Sequence, residues 1–181
     1  YSVCPAEQVV AVRKDLPWTH AAIIGCSVAT GVGAVTRHAK IEAGSSVLVI
    51  GCGGVGLNVV QGAKLAGART IIACDLLDNK LQLATNFGAT HIINAKKQDM
   101  VKTVQEITGL GVDYAFDAIG TGPTTASMID ALAPAGHAVL VGIPAYSAQA
   151  PIAPAPMVYT EKTLSGTYYG SIRPTVDFAN L

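Results

Sequence analysis

Charge is scarce in this chain. Its 181 residues hold 12 Lys and Arg against 12 Asp and Glu, a formal net charge of zero. No basic stripe stands out, so nucleic acid is not the expected partner. Residues 131–160 carry no Asp, Glu, Lys or Arg. Pro134, Pro144, Pro151, Pro154 and Pro156 interrupt that stretch, which argues against a spanning helix and against a membrane as partner. Cysteine is sparse too. Cys4, Cys26, Cys52 and Cys74 form no C-x-x-C pair. A disulfide framework is therefore not expected, and a reducing cytoplasm is the expected compartment. No signal peptide is visible, and the chain opens on YSVCPAEQVV without Met, as the middle of a longer protein would. Hydrophobic residues make up half the chain, enough for a large core, and the length fits one large domain or one domain plus a fragment.

What is present is concentrated between Val47 and Asp75. VLVIGCGGVGLNVVQGAKLAG runs from an apolar strand through Gly51, Gly53, Gly54 and Gly56 into a helical pattern. A second apolar strand, TIIACD, then ends on Asp75, 19 residues past Gly56. That order is the dinucleotide-binding fingerprint. Gly51 permits a tight turn, Gly53 lets the backbone approach a pyrophosphate, and Gly56 lets helix and strand pack closely. The pyrophosphate is expected over the helix start, where free N–H groups and the positive end of the dipole favour an anion. Asp75 is suited to accept hydrogen bonds from the adenosine ribose. It repels a 2′-phosphate, and Leu76-Leu77 after it offer no Arg, so NAD is favoured over NADP. The competing reading of Asp75 is a helix cap, for which Asp78 is the better placed residue.

Apolar runs alternate with helical patterns along the rest of the chain. Strands are expected at 47–50, 70–74, 90–93, 113–117, 137–141 and 163–167, with helices at about 55–66, 78–87, 99–108 and 122–132. Short strands apolar on both faces, joined by crossover helices, specify an α/β fold with a six-stranded parallel sheet. This is the doubly wound Rossmann arrangement with strand order 3-2-1-4-5-6. The link from Gly142 to Lys162 is long and Pro-rich with no clear helix, and AQAPIAPAP (148–156) reads as an extended surface segment. Ahead of the sheet, Glu7 to Val12 looks like a strand. Pro17 to Thr30 reads as a helix that Asp15 caps, and Gly33 to Ala39 as a second.

Taken together, GCSVATGVGAV (25–35), GCGGVG (51–56), CDLLDNK (74–80), FGATHIIN (87–94), YAFDAIG (114–120) and LVGIP (140–144) resemble the cofactor-binding half of the zinc-dependent medium-chain alcohol dehydrogenases. The resemblance implies roles residue by residue. Cys26 matches a ligand of the catalytic zinc, Thr30 a residue beside the nicotinamide, and Val55 a side chain on the nicotinamide's opposite face. Asp75 and Lys80 match the pair on the adenosine ribose, with Leu76 beside them. Ile119 matches an apolar contact near the adenine. Val141, Thr167 and Tyr169 match positions whose backbone holds the carboxamide. The implied cofactors are NAD and zinc, and the implied substrate is a small alcohol or aldehyde. The family's other two zinc ligands and its proton relay have no counterpart here. Residues 1–16 are accordingly read as a remnant of a catalytic domain, 17–45 as connecting helices, and 46–181 as the NAD-binding domain. Such a fragment is expected to bind the dinucleotide without turning over alcohol. The sixth strand would lie at the sheet edge, where relatives pair across a two-fold axis, so a homo-oligomer is expected.

Several residues keep two readings. Cys26 is either that ligand or a small buried hydrophobe, and Lys80 either a ribose contact or a solvated helix residue. Cys52 and Cys74 read as packing residues. His20, His38, His91 and His137 show no metal spacing and receive no role. Asp113 and Asp117 are either a catalytic carboxylate pair or, as favoured here, solvated strand-end residues. For the parent protein, the alternatives are a zinc-free quinone-reductase-like enzyme of the same fold and a non-catalytic dinucleotide-binding module.

Overall fold

The apolar strands do assemble into one sheet. The computed structural model describes residues 3–6 and 9–178. Six parallel strands, β1 (Ser46–Ile50), β2 (Thr70–Asp75), β3 (His91–Asn94), β4 (Val112–Asp117), β5 (Leu132–Leu140) and β6 (Thr163–Gly166), lie in the order 3-2-1-4-5-6. Alternation along each strand sends side chains to both faces. Val47 and Val49 join Val35, Val59, Val60 and Leu81 on one face, while Leu48 and Ile50 join Ile72, Val104 and Met128 on the other. Helices α1 (Trp18–Ala39), α2 (Gly54–Leu65) and α3 (Asp78–Phe87) cover the first face. Helices α4 (Met100–Thr108) and α5 (Gly122–Asp130) cover the second. Crossovers of one hand force this three-layer outcome once the strands are parallel.

Several expectations fail locally. The two N-terminal helices are one continuous helix, α1, with five-residue hydrogen-bond spacing at Ile24–Val28 and Ala34–Ala39. By length and composition α1 could cross a membrane, but Ala29 and Gly31–Val35 are buried as in a core helix. Asp15 does not cap it. The helix starts at Trp18 behind Pro17 with no side-chain cap, and Asp15 is held instead by Arg13 at 3.0 Å. A charged guanidinium two residues away outcompetes a neutral helix N–H. Val9–Val12 is not a strand, and the remainder of that expected strand, Glu7 and Gln8, lies outside the described residues.

The Pro-rich link contains a short helix, α6 (Pro154–Tyr159), where an extended segment was expected. Pro154 sits in its first turn, where a missing N–H costs nothing. β5 starts five residues earlier than its apolar run because Val112 pairs with Leu132 before the register shifts and Tyr114 pairs with His137; Ala135, in the intervening stretch of β5, has φ of 59°. A short helix, α7 (Pro174–Asp177), closes the described chain; its buried Asp177 pairs with Arg37 of α1.

Candidate functional site

The C-terminal ends of β1, β2 and β4 meet where the strand order reverses, the place where open α/β sheets bind ligands. There β1 turns sharply through Gly51, whose φ of 91° a side chain would strain, and passes directly into α2. A Cβ at Gly56 would stand 1.7 Å from the Gly51 carbonyl oxygen, so only glycine allows this helix to sit so close to its strand. A Cβ at Gly53 would meet nothing within 4 Å. Protein therefore crowds one glycine of the turn and leaves open the one expected to face a ligand. The first helical bond in α2 runs from the Leu57 N–H to the Gly53 carbonyl, so the N–H groups of Gly54, Val55 and Gly56 point out of the helix start. Together they form an anion cradle.

Asp75 ties the second strand to this turn. Its Oδ2 accepts from the Cys52 N–H at 2.8 Å, and its Oδ1 from the Leu76 and Leu77 N–H groups at 2.7 and 3.1 Å. It is half-buried and faces a cavity of about 210 Å³ that Leu76, Ile119 and Thr124 also line. Asp78 is not a cap either, since its carboxylate accepts from Asn94 and Lys97 at 2.6 and 2.7 Å. Lys80 lies in the first turn of α3, and its charge acts on the Cys52 thiol. Burial foremost, then the charge of Asp75, pushes both Cys52 and Cys74 up to about 12. They stay protonated and act as packing residues, one in each core.

A second cluster forms at the other side of the glycine turn. Ser27 of α1 stands against Gly54, and Gly31 against the Val55 carbonyl. The Tyr169 hydroxyl donates to the Gly25 carbonyl, and Gly170 packs on the carbonyls of Ala29 and Thr30. Burial, and behind it the charge of Cys26, raises the Tyr169 phenol above its ordinary value. The structure thus brings Cys26, Thr30, Val55 and Tyr169 to one end of the cleft. The Val141 N–H bonds the Asp117 carbonyl at 2.9 Å, and the Thr167 N–H bonds that of Leu140 at 3.0 Å. Cys26 is exposed, which removes the reading of it as a buried hydrophobe. Among the described residues no three His, Cys, Asp or Glu side chains group as a metal site. Cys26 offers one thiol, so the residues present do not hold zinc by themselves.

Sequence reasoning misplaced Asp117. It is fully buried and accepts four hydrogen bonds, from the N–H groups of Ile119 and Gly120 and the hydroxyls of Thr124 and Thr125, at 2.8–3.1 Å. Asp113 sits at the opposite, exposed end of β4, bound to the N–H and hydroxyl of Ser46. The two carboxylates therefore cannot act as a pair. The signal for Asp117 was the Thr124-Thr125 step at the start of the next helix, which alternation along β4 alone could not reveal. His38 and His137, assigned no role, stand with ring centres 6.2 Å apart.

Residues 54–180 match the family of zinc-binding dehydrogenases. The chain is 40% identical over 190 residues to the S-(hydroxymethyl)glutathione dehydrogenase of Paracoccus denitrificans, covering 98% of this chain and 49% of that one. Its fold superposes on benzyl alcohol dehydrogenase of Acinetobacter calcoaceticus with a TM-score of 0.89 at 36% identity, covering 92% of this chain and 46% of that one. It is also similar to a zinc-binding dehydrogenase of Sinorhizobium meliloti bound to NADP. There the TM-score is 0.78 at 28% identity, with 84% of this chain and 46% of that one covered. The chain spans about half the length of the curated relatives it matches. With its glycine turn, its carboxylate-ended second strand and this likeness over nearly its whole length, the chain belongs to the zinc-binding dehydrogenase family.

Proposed function

We propose that this chain holds NAD along the C-terminal edge of β1, β2 and β4, as the cofactor half of an oxidoreductase acting on a small alcohol or aldehyde. The observation that carries the reading is the joint geometry of Gly51, Gly56 and Asp75. The glycines bring free N–H groups to the surface, and the carboxylate is fixed to the same turn beside an open cavity. The N–H groups of Gly54, Val55 and Gly56 hold the pyrophosphate, with Gly53 left clear for its approach. Asp75 accepts from the ribose hydroxyls, Lys80 adds a charge at the same end, and Leu76 and Ile119 wall the adenine. Thr30 and Val55 flank the nicotinamide, while Val141, Thr167 and Tyr169 present backbone to its carboxamide. The bound dinucleotide supplies the hydride acceptor. Cys26 contributes one thiolate to a zinc whose remaining ligands lie outside this chain.

The domain division near residue 45, where α1 gives way to β1, belongs to the same reading. So does pairing of two copies through the unpartnered edge of β6, which sedimentation at high concentration tests: a monomer throughout would sink it.

Calorimetric titration of the chain with NAD and NADP, repeated on Asp75→Ala, tests the central reading. NAD binding that exceeds NADP and weakens in the variant supports it. Equal affinity for both cofactors would overturn the role of Asp75, and binding of neither would overturn the site.

A further inference from the structure

Ser165, on the edge strand β6, stands between two imidazoles. Nε2 of His38, in the last turn of α1, lies 2.8 Å from its hydroxyl oxygen, and Nε2 of His137, on β5, lies 2.7 Å from it. The other nitrogen of His38 is 3.2 Å from the Ser171 hydroxyl, which is itself 3.0 Å from that of Thr167. A continuous chain therefore runs His137–Ser165–His38–Ser171–Thr167. It ends at a turn of unusual backbone. Tyr169, Gly170 and Ser171 have φ of 56°, 66° and 54°, three consecutive left-handed residues of which only one is glycine. Such a conformation costs about 1–2 kcal/mol at each non-glycine residue, so the turn persists only where its surroundings hold it.

With both rings neutral, every link has one donor and one acceptor, in either direction. A proton added to His38 makes both its nitrogens donors. The Ser165 hydroxyl then turns to His137, the Ser171 hydroxyl turns to Thr167, and no link is lost. A second proton, on His137, aims two cationic N–H groups at one serine oxygen, with ring centres 6.2 Å apart. We propose that the His38–Ser165–His137 bridge accommodates one proton but not two. These three residues then act as positioning residues that make the Tyr169–Ser171 turn a pH-sensitive latch. Insofar as the latch reaches the nicotinamide end of the cleft, it rests on the function proposed above.

The surroundings do not supply a neutralising partner for the second charge. On the helix of His38, Arg37 is paired with Asp177 of α7, and Lys40 follows as a further cation. Tyr114 of β4 lies 6.3 Å from the His137 ring. Glu42 and Asp113 line the pocket that His137 also faces, but neither carboxylate hydrogen-bonds to an imidazole among the described residues. Beside β6, Lys162 is bound to the Ile129 carbonyl, with Glu161 preceding it, and Tyr168, Tyr169 and Arg173 lie before, in and after the turn. Burial first, and then the charge of His38, holds the His137 imidazole below its ordinary value of 6.5. The stability tied to a neutral His137 is therefore present above pH 6.5 and is lost as pH falls through its lowered folded value.

The test needs no dinucleotide, so its failure is separable from failure of the cofactor reading. Imidazole titration of the chain by NMR is compared with amide exchange protection at pH 8 and pH 5.5. The reporting amides are Ser171 and Ile172, bonded to the Tyr168 and Tyr169 carbonyls, with those of β1 as the internal reference. The expected result is that His137 titrates below its ordinary value of 6.5, and that protection of the turn falls about tenfold relative to β1 at the lower pH, a change of about 1.4 kcal/mol. Ser165→Ala should abolish that pH dependence, and Ser165→Thr, which keeps the hydroxyl, should restore it. Titration of His137 at or above its ordinary value of 6.5 would overturn the proposal. A turn-to-β1 protection ratio that ignores pH in the unaltered chain would overturn it too, whether or not Ser165→Ala folds.

Discussion

Two parallel strands of this sheet end on an aspartate, and the two ends serve different purposes. At the end of β2, Asp75 is half-buried, and its three donors are all backbone N–H groups. Its outer side opens on a cavity. At the end of β4, Asp117 is fully buried, and two threonine hydroxyls join two N–H groups to surround it. The first carboxylate retains acceptor capacity toward a ligand, whereas the second spends its capacity on shaping the loop that walls the same crevice. The same residue type at equivalent topological positions is thus divided by depth and by the side chains that follow. Leu76-Leu77 leave Asp75 open, and Thr124-Thr125 enclose Asp117.

The comparison can be broken at graded cost. Gly56→Ala touches the turn on which the Asp75 end depends. With a Cβ 1.7 Å from the Gly51 oxygen, it is expected to destabilise the chain by about 4 kcal/mol or more, read as a lowered urea midpoint. Asp117→Ala should come next, at about 3 kcal/mol, because it strands buried donors in the interior. A midpoint equal to the unaltered chain's would show that water replaces the carboxylate there. Asp75→Ala should cost only about 1 kcal/mol in the same measurement, yet weaken NAD binding about tenfold or more by calorimetry. A stability loss as large as that of Asp117→Ala, with NAD affinity unchanged, would reverse the assignment of the two ends. Smallest of all, Asp113→Ala at the exposed start of β4 should shift stability by about 0.5 kcal/mol and leave NAD binding unaltered.

The legible parts of the chain are those whose signals are local. Strand periodicity runs along the chain, and its six strands appear with ends shifted by at most one residue except at the start of β5; Gly51, Gly53, Gly56 and the carboxylate at Asp75 lie close together in sequence and occupy the expected turn and strand end. The failures fall where a side chain's partner, near or far in sequence, is chosen by the folded chain rather than by periodicity. Asp117 looked like a solvated strand end because its two hydroxyl donors come from the following helix. α1 was expected as two helices, Pro17 to Thr30 and Gly33 to Ala39, with Gly31 left between them and Gly33 opening the second. In fact the two glycines are close approaches: a Cβ on one would strike the Val55 carbonyl, and on the other the Gly170 carbonyl. His38 and His137 had no shared motif, and only the pairing of β5 with β6 under α1 brings both to Ser165.

By itself, then, the sequence determined the parallel order of the sheet, the tight glycine turn after β1 and the carboxylate beside it, since these follow from periodicity, glycine sterics and short spacing. Tertiary structure alone decided which aspartate is enclosed and which open, that one helix spans Trp18–Ala39, and that the Tyr169–Ser171 turn is held from α1 and by Thr167. The physical reason is range. Backbone preference and alternation act over a few residues, whereas burial and hydrogen-bond partnership depend on neighbours that only the folded chain supplies.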